Sequence, residues 1–179
     1  AHVDWRKQYA VGTDKDPTVR KFDNAQWLAA CGACHSRRTE LTGDFKPGDP
    51  YLDHFSHVIP DESDIYYPDG QVRGENYVLT SFLSSKMHHA GVRCMDCHEP
   101  HSAKILQPGN ALCMRCHTGT YPNSPKIDPP THTHHKLNGE GGQCVNCHMP
   151  QTTYMQRDPR RDHGFTIPDP LLTKEHGIP

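Results

Sequence analysis

The chain has 179 residues, a formal net charge of −2, and 34% hydrophobic residues. A charge this close to zero does not indicate a nucleic-acid-binding surface, and no apolar run is long enough to form a transmembrane helix. The 16 prolines and 14 glycines further predict that the polypeptide alone would form a poor core. The length favours a single domain over residues 1–179.

The N-terminal part is polar, and we predict an extended arm over residues 1–22. Asp23 or Asn24 can cap a short helix that continues into the run Cys31-Gly32-Ala33-Cys34-His35. One helical turn brings two cysteines spaced in this way to the same side. The sequence therefore predicts a capped helix that carries the first of four C-x-x-C-H motifs.

The middle of the chain is predicted to change from irregular to helical. Residues 41–74 carry repeated Pro and Gly turn signals. Residues 75–90 form the best predicted helix, because Val78, Phe82 and Met87 recur at roughly helical spacing. Gly91 suits the position just after a helix C-terminus. This helix would end directly before the second motif.

The last part of the chain holds the remaining motifs and much of the proline. Asn110 is predicted to cap a helix that carries the third motif. Residues 118–131 are Pro-rich and predicted to be extended, and residues 150–179 are predicted to form a Pro-rich tail. The pattern leaves little room for strands.

All eight cysteines lie in the four C-x-x-C-H motifs. This pattern is the attachment signature of c-type haem. Its two thiols form thioethers to one porphyrin, and the next histidine becomes the proximal iron ligand. The sequence thus predicts four covalently bound haem c groups. The predicted attachment and proximal residues are Cys31, Cys34, His35, Cys94, Cys97, His98, Cys113, Cys116, His117, Cys144, Cys147 and His148.

These groups would supply most of the apolar interior of a short chain. We therefore predict a compact multihaem cytochrome fold, mainly α with extensive irregular loops, in which stacked haems form the core.

Structural zinc and disulfides are the competing interpretations of the cysteines. Cys94, Cys97, Cys113 and Cys116 satisfy a zinc-site spacing, but zinc gives no reason for a histidine after every second cysteine. Eight cysteines could also form a disulfide framework. Four short-range pairs would cross-link very little of the chain, so haem attachment is the favoured interpretation.

Four proximal ligands leave 11 of the 15 histidines, and several of these are expected to bind iron on the distal side. Pro100 stiffens a turn before His101, and His163 stands in a His-poor tail. His89 and His135 occupy matching places in an internal repeat before the second and fourth motifs. The predicted distal ligands are His89, His101, His135 and His163, with His54 and His132 in reserve, and with His134, His88, His57 and His2 ranked lower.

Methionine is the other candidate for a distal ligand, through Met87 or Met155. A thioether ligand raises the haem potential, whereas two histidines give a lower one. The surplus of histidine favours bis-histidine haems of low potential.

The run from Ser85 to His101 resembles the multihaem cytochromes related to cytochrome c554. The resemblance continues through 108–117, 147–150 and 160–163 and spans roughly residues 31–170. Such relatives include tetrahaem electron-transfer proteins, filament-forming cytochromes, and nitrite- and hydroxylamine-converting enzymes. The resemblance implies a multihaem fold and electron transfer. The nitrite-reducing relatives carry a Lys in place of one proximal His, whereas all four motifs here end in His.

Two classes of function follow from these observations. The first is an electron-transfer protein without enzyme activity, either a carrier or the subunit of an extracellular filament, that meets redox partner proteins or terminal electron acceptors. The second is a multihaem reductase that acts on a small nitrogen or sulfur oxyanion at one open haem. Because c-type haem is attached outside the bacterial cytoplasm, we expect a periplasmic or extracellular protein whose signal peptide was removed before Ala1.

Overall fold

The computed structural model describes residues 2–9, 21–154 and 156–179, without the side chain of His2. The predictions for His2 and Met155 as ligands lie outside the described residues. Within the described ranges the helices are α1 (His2–Gln8), α2 (Asn24–His35), α3 (Tyr51–His54), α4 (Leu79–Ser84), α5 (Lys86–His89), α6 (Cys94–Cys97), α7 (Asn110–Met114), α8 (Pro129–Thr133), α9 (Cys144–His148) and α10 (Pro170–His176). The strands are β1 (Arg38–Glu40), β2 (Phe55–His57), β3 (Gln151–Tyr154) and β4 (Asp158–Arg161), and Glu140–Gly142 forms a 3-10 turn.

The strands form two antiparallel pairs. β1 pairs with β2, placing Arg38 opposite His57. β3 pairs with β4, placing Tyr154 opposite Asp158. Thr residues in β3 favour this extended conformation, and Tyr154 at its end is buried. The second hairpin thereby brings the region after the fourth motif back onto the body of the protein.

The prediction of a mainly α fold is wrong. The structure is 37% helical with 11% strand, and the four-residue strands of the second hairpin fall where the sequence left little room for strands. The longest described helix is α2, with 12 residues. Most of the other helices are a turn or two long, because turn residues and prolines recur along the chain.

The predicted helix over residues 75–90 is also divided. Ser85 has an extended backbone with φ −76° and ψ 148°, ending α4 and starting α5. Its hydroxyl donates to the Phe82 carbonyl oxygen at 2.6 Å and accepts from the His88 N–H at 3.1 Å. A serine that bonds to the local backbone in this way competes with continuous helix. Gly91 does follow α5 with φ +86°, as the sequence predicted.

Two predicted helix starts had different outcomes. Asp23 caps α2 as predicted, with its carboxylate accepting from the Gln26 N–H at 2.8 Å and the Gln26 side chain accepting from the Asp23 N–H. The cap predicted for Asn110 is wrong, because α7 begins at Asn110 itself and its side chain bonds elsewhere. The predicted extended arm is likewise partly wrong, since α1 lies within it.

A small buried core contains none of the cysteines. Ile65, Tyr66, Val72 and Tyr154 form one buried cluster, against which Val58 packs. We call this the tyrosine core. The Asn76 amide donates to the Tyr66 hydroxyl, so the buried hydroxyl oxygen of Tyr66 has a hydrogen-bond partner. Among the described helices, none has both the length and the apolar character needed to cross a membrane.

Candidate haem centres

The first motif lies at the C-terminal end of α2, where the chain packs closely. A Cβ atom on Gly32 would lie 2.9 Å from a methyl carbon of Leu79, so a glycine lets the motif approach α4. The Ser36 hydroxyl lies 2.7 Å from the Gly32 carbonyl oxygen and 2.6 Å from the Tyr51 hydroxyl. Arg38 donates to the Ala33 carbonyl oxygen at 2.7 Å. These contacts fix Cys31, Cys34 and His35 at the end of a capped helix.

The second motif forms α6 and is fixed by an ion pair. The Arg93 guanidinium lies 2.8 Å from an Asp96 carboxylate oxygen, and the Arg93 N–H also donates to Asp96 at 2.8 Å. The His98 N–H donates to the Cys94 carbonyl oxygen at 2.9 Å, which closes the helical turn. The guanidinium of Arg115, in the third motif, donates to the Asp96 carbonyl oxygen at 2.8 Å. The second and third motifs are therefore held together directly.

The third motif begins on α7 and is joined to the fourth, on α9, through Asn110. The Asn110 side chain donates to the Gly142 carbonyl oxygen at 2.7 Å and accepts from the Cys144 N–H at 2.9 Å. Both bonds bridge more than 30 residues of sequence. Asn110 thus sets the position of the fourth motif relative to the third.

All eight cysteines carry free thiols in the structure, which disfavours a disulfide framework. Among the residues with described positions, no group of three or more His, Cys, Asp or Glu side chains could hold a metal ion between them. The cysteines of the second and third motifs therefore do not converge into a zinc site. Cys34 and Cys147 are exposed and the other six cysteines are partly buried, and exposed thiols are open to thioether formation.

The cysteines of neighbouring motifs influence one another. A hydrogen bond with Cys94 lowers the pKa of the Cys31 thiol to about 7, and the same bond, with burial, raises the pKa of Cys94. Burial, with the neighbouring Cys144 thiol, raises the pKa of Cys113 to about 12. The attachment points of the first and second motifs thus lie side by side, as do those of the third and fourth.

A cavity of about 370 Å³ lies between the first and second motifs. Its wall includes Cys31 and Cys94, together with the apolar side chains of Trp27, Leu28 and Val92. Cofactor pockets are typically concave and mostly apolar, with a few groups that fix orientation. Its apolar lining suits the edge of a porphyrin attached at either the first or the second motif.

Two pairs of imidazole rings have the spacing expected for axial ligation of one iron. The ring centres of His98 and His163 are 6.3 Å apart with 25° between the ring planes. Those of His132 and His148 are 6.0 Å apart with 16° between the planes. An imidazole nitrogen binds a first-row metal at about 2.0–2.1 Å, so two imidazoles on opposite sides of one ion have ring centres about 6 Å apart.

Hydrogen bonds fix the tautomer of three of the histidines. Nδ1 of His148 lies 2.8 Å from the Thr166 carbonyl oxygen, and Nδ1 of His163 lies 2.9 Å from the Arg161 carbonyl oxygen. Nδ1 of His117 lies 3.2 Å from the Pro125 carbonyl oxygen. A carbonyl oxygen can only accept, so each Nδ1 carries a proton, and in the neutral ring this leaves the lone pair on Nε2. This is the usual environment of a metal-binding histidine.

Burial favours the neutral form of the imidazoles of His98 and His163, which is the form that binds iron. Desolvation lowers the pKa of both His98 and His163, and the neighbouring His35 adds to the effect. A neutral ring binds a metal without first losing a proton. Both rings are therefore prepared to act as ligands at neutral pH.

The other predicted distal histidines are placed differently. His101 is 93% exposed and its Nδ1 lies 3.0 Å from a Glu99 carboxylate oxygen. His54 lies between carboxylates, with Nδ1 3.3 Å from Asp44 and Nε2 3.7 Å from Asp49. These contacts do not hold the ring of His101 or of His54 against a C-x-x-C-H motif.

The histidines next to the motifs also differ from their predicted ranking. His89 is exposed, whereas His88 lines the cavity beside Cys94. His135 is exposed and packs on Gly141. His132, a reserve candidate, is also exposed, but it is the histidine of its cluster whose ring centre lies 6.0 Å from that of His148. The only sequence signal for it was the local surplus of histidine.

His57 ranked low in the sequence analysis but is distinctive in the structure. Its Nδ1 is a buried side-chain atom without a hydrogen-bond partner, and burial lowers its pKa. His57 lies on β2 opposite Arg38, and Arg38 follows shortly after the end of the first motif. No sequence feature separated it from the other histidines.

A protein-family model described as the doubled CXXCH motif matches residues 88–121, which include the second and third motifs. The match indicates a multihaem c-type cytochrome with covalently bound haem c and a role in electron transfer. It does not distinguish the cytochrome c554-like group from other multihaem cytochromes. No curated protein and no solved structure matches the chain significantly.

Proposed function

We propose that the chain is a tetrahaem c-type cytochrome of the cytochrome c554-like kind that carries electrons. One haem c would be held at each motif, through Cys31 and Cys34, Cys94 and Cys97, Cys113 and Cys116, and Cys144 and Cys147. When bound, haem iron supplies reversible one-electron chemistry between its ferric and ferrous states. The protein contributes attachment, axial ligands and the surrounding dielectric.

The observation that carries this proposal is the spacing of the two imidazole pairs. His98 with His163, and His148 with His132, would each occupy both axial positions of one iron. Two histidines on one iron leave no position for a substrate, so these two sites suit electron transfer rather than reduction of an oxyanion. Two histidines also favour a lower potential than a His/Met pair.

Single histidine replacements test the assignment. We expect His163→Ala and His132→Ala each to keep four haems per chain, by the pyridine haemochrome assay, and to convert one haem to a high-spin ferric state. His101→Ala is the matched control, since that ring is exposed and paired with Glu99. Low-temperature electron paramagnetic resonance measures the spin states. A fully low-spin spectrum in both test variants would overturn the ligand assignment.

We further propose that the protein is exported and works in the periplasm or outside the cell. This follows from the chemistry of haem attachment, which takes place outside the bacterial cytoplasm. Its partners would be redox proteins or terminal electron acceptors. The proposal covers a carrier that acts singly and the subunit of a homopolymer, and negative-stain microscopy of the purified holoprotein separates the two.

A further inference from the structure

Asp162 is a buried carboxylate directly before His163. It is 6% exposed. One carboxylate oxygen accepts from the Val72 N–H at 3.0 Å, and the other accepts from the Gly164 N–H at 2.6 Å. The first bond joins segments 90 residues apart in sequence. A buried carboxylate with both oxygens bonded to the backbone fixes the chain on either side of it.

These bonds enclose the backbone of His163. The bond from the Gly164 N–H to Asp162 closes a turn around His163. The bond from the Val72 N–H anchors Asp162, the residue before His163. The His163 Nδ1–H in turn donates to the Arg161 carbonyl oxygen at 2.9 Å. The position and the tautomer of the imidazole are thereby both determined by a three-residue segment whose central anchor is Asp162.

Arg161 attaches the same segment independently to the fourth motif. Its guanidinium donates to the carbonyl oxygens of Val145 and Met149, each at 3.0 Å, and to the Asn146 side chain at 2.9 Å. Loss of the Asp162 bonds would therefore leave the segment attached near α9. The consequence should be local to His163 rather than a general loss of the fold.

We propose that Asp162 is a positioning residue that holds His163 in place as an axial ligand opposite His98. The inference rests on the proposed role of His163 in haem ligation. A carboxylate is required because two N–H groups must be accepted at once. An Asn side chain has one acceptor oxygen, and its NH₂ group would oppose the second N–H donor.

The test compares Asp162→Asn with Asp158→Asn in the purified holoprotein. Asp158 lies in the same hairpin and pairs with Arg160 at 2.7 Å, so its replacement makes the same chemical change without touching the bonds around His163. Each variant is titrated with cyanide, which competes with a distal histidine for ferric iron. Replacing an outer group that orients a metal ligand typically costs about 10–100-fold in affinity. We expect Asp162→Asn to lower the half-saturating cyanide concentration by about that factor, and Asp158→Asn to leave it unchanged.

A second variant keeps the test decisive if Asp162→Asn fails to mature with four haems. A Cβ atom on Gly164 would lie 2.9 Å from the Asp162 carboxylate oxygen, so Gly164→Ala displaces that oxygen while keeping the carboxylate. It should shift the cyanide titration in the same direction by a smaller factor. Titrations that match wild type in the matured test variants would overturn the role of Asp162. His163→Ala is run beside them: if it too matches wild type, the ligand assignment fails rather than the positioning role.

Discussion

The tyrosine core and the four attachment motifs differ in what completes them. In the tyrosine core, Ile65, Tyr66, Val72 and Tyr154 are each at most 7% exposed and contact one another. The motif cysteines are partly buried or exposed, and an apolar cavity lies between the first two motifs. The polypeptide packs the first region by itself, whereas the second region requires a bound group to bury its apolar surface. Side chains stabilise one region and cofactors stabilise the other.

The largest expected effect comes from removing one attachment site. Cys94→Ser with Cys97→Ser should reduce the haem content by one per chain and abolish cooperative unfolding, because a domain of this size has only about 5–15 kcal/mol of stability in total. Denaturant unfolding followed by circular dichroism measures the transition. Met95→Leu, which keeps both thiols, should unfold as wild type does. A double variant that unfolds cooperatively at the wild-type midpoint would show that the motif region packs without its cofactor.

A smaller and more local effect is expected in the tyrosine core. Ile65 is 6% exposed, and truncating such a side chain costs about 2–5 kcal/mol. Ile65→Ala should lower the free energy of unfolding by that amount, by the same denaturant assay, while the haem content stays at four. Loss of a haem in this variant would mean that the two regions are not separately stabilised.

The core should also give the protein a pH dependence in the alkaline range. Burial, with a smaller contribution from the Asp162 carboxylate, raises the pKa of Tyr154 to about 12. Above pH 10 the unfolded chain loses the tyrosine proton, whereas the folded chain keeps it until about pH 12. Stability is therefore complete below pH 10 and falls as the pH rises towards 12, by up to about 3 kcal/mol.

The variant Tyr154→Phe isolates this contribution. Its unfolding free energy should fall less steeply than that of wild type between pH 10 and pH 12, measured by denaturant titration at each pH. Tyr66, whose pKa is also raised by burial, is present in both proteins, so the difference between the two profiles reports on Tyr154 and its interaction with Tyr66. Parallel profiles would contradict the buried, neutral state of Tyr154.

The smallest expected effect concerns the helix that leads into the first motif. Asp23 and Gln26 form a reciprocal capping box at the start of α2. Asp23→Ala should lower stability by about 1 kcal/mol and increase hydrogen exchange in the first turn of α2, measured by mass spectrometry. Lys21→Ala, an exposed change just outside the helix, is the control. Unchanged exchange in Asp23→Ala would mean that haem attachment at Cys31 and Cys34 holds α2 without its cap.

The sequence predicted local chemistry better than it predicted architecture. The cap at Asp23 and the turn at Gly91 depend on neighbouring residues, so the sequence pattern contained them. The break at Ser85 depends on a hydroxyl that competes with helix, and the second hairpin depends on the packing of Tyr154. Hydrophobic periodicity reports neither of these. This is why the mainly α prediction was wrong.

The predicted distal histidines show the same limit. The C-x-x-C-H spacing identifies each proximal histidine because attachment and ligation lie within five residues. A distal ligand comes from elsewhere in the chain, and only the fold decides which ring arrives. Thus His163 and His132 lie opposite motif histidines, whereas His101 points into solvent. These assignments stay predictions until the histidine replacements are measured.

The most direct test of the account is the haem content of the purified protein. A pyridine haemochrome assay, calibrated against protein concentration by amino-acid analysis, should give four haem c groups per chain, one for each pair of thiols. A value of zero would mean that the cysteines serve another purpose. A value between one and three would mean that at least one C-x-x-C-H motif is not an attachment site.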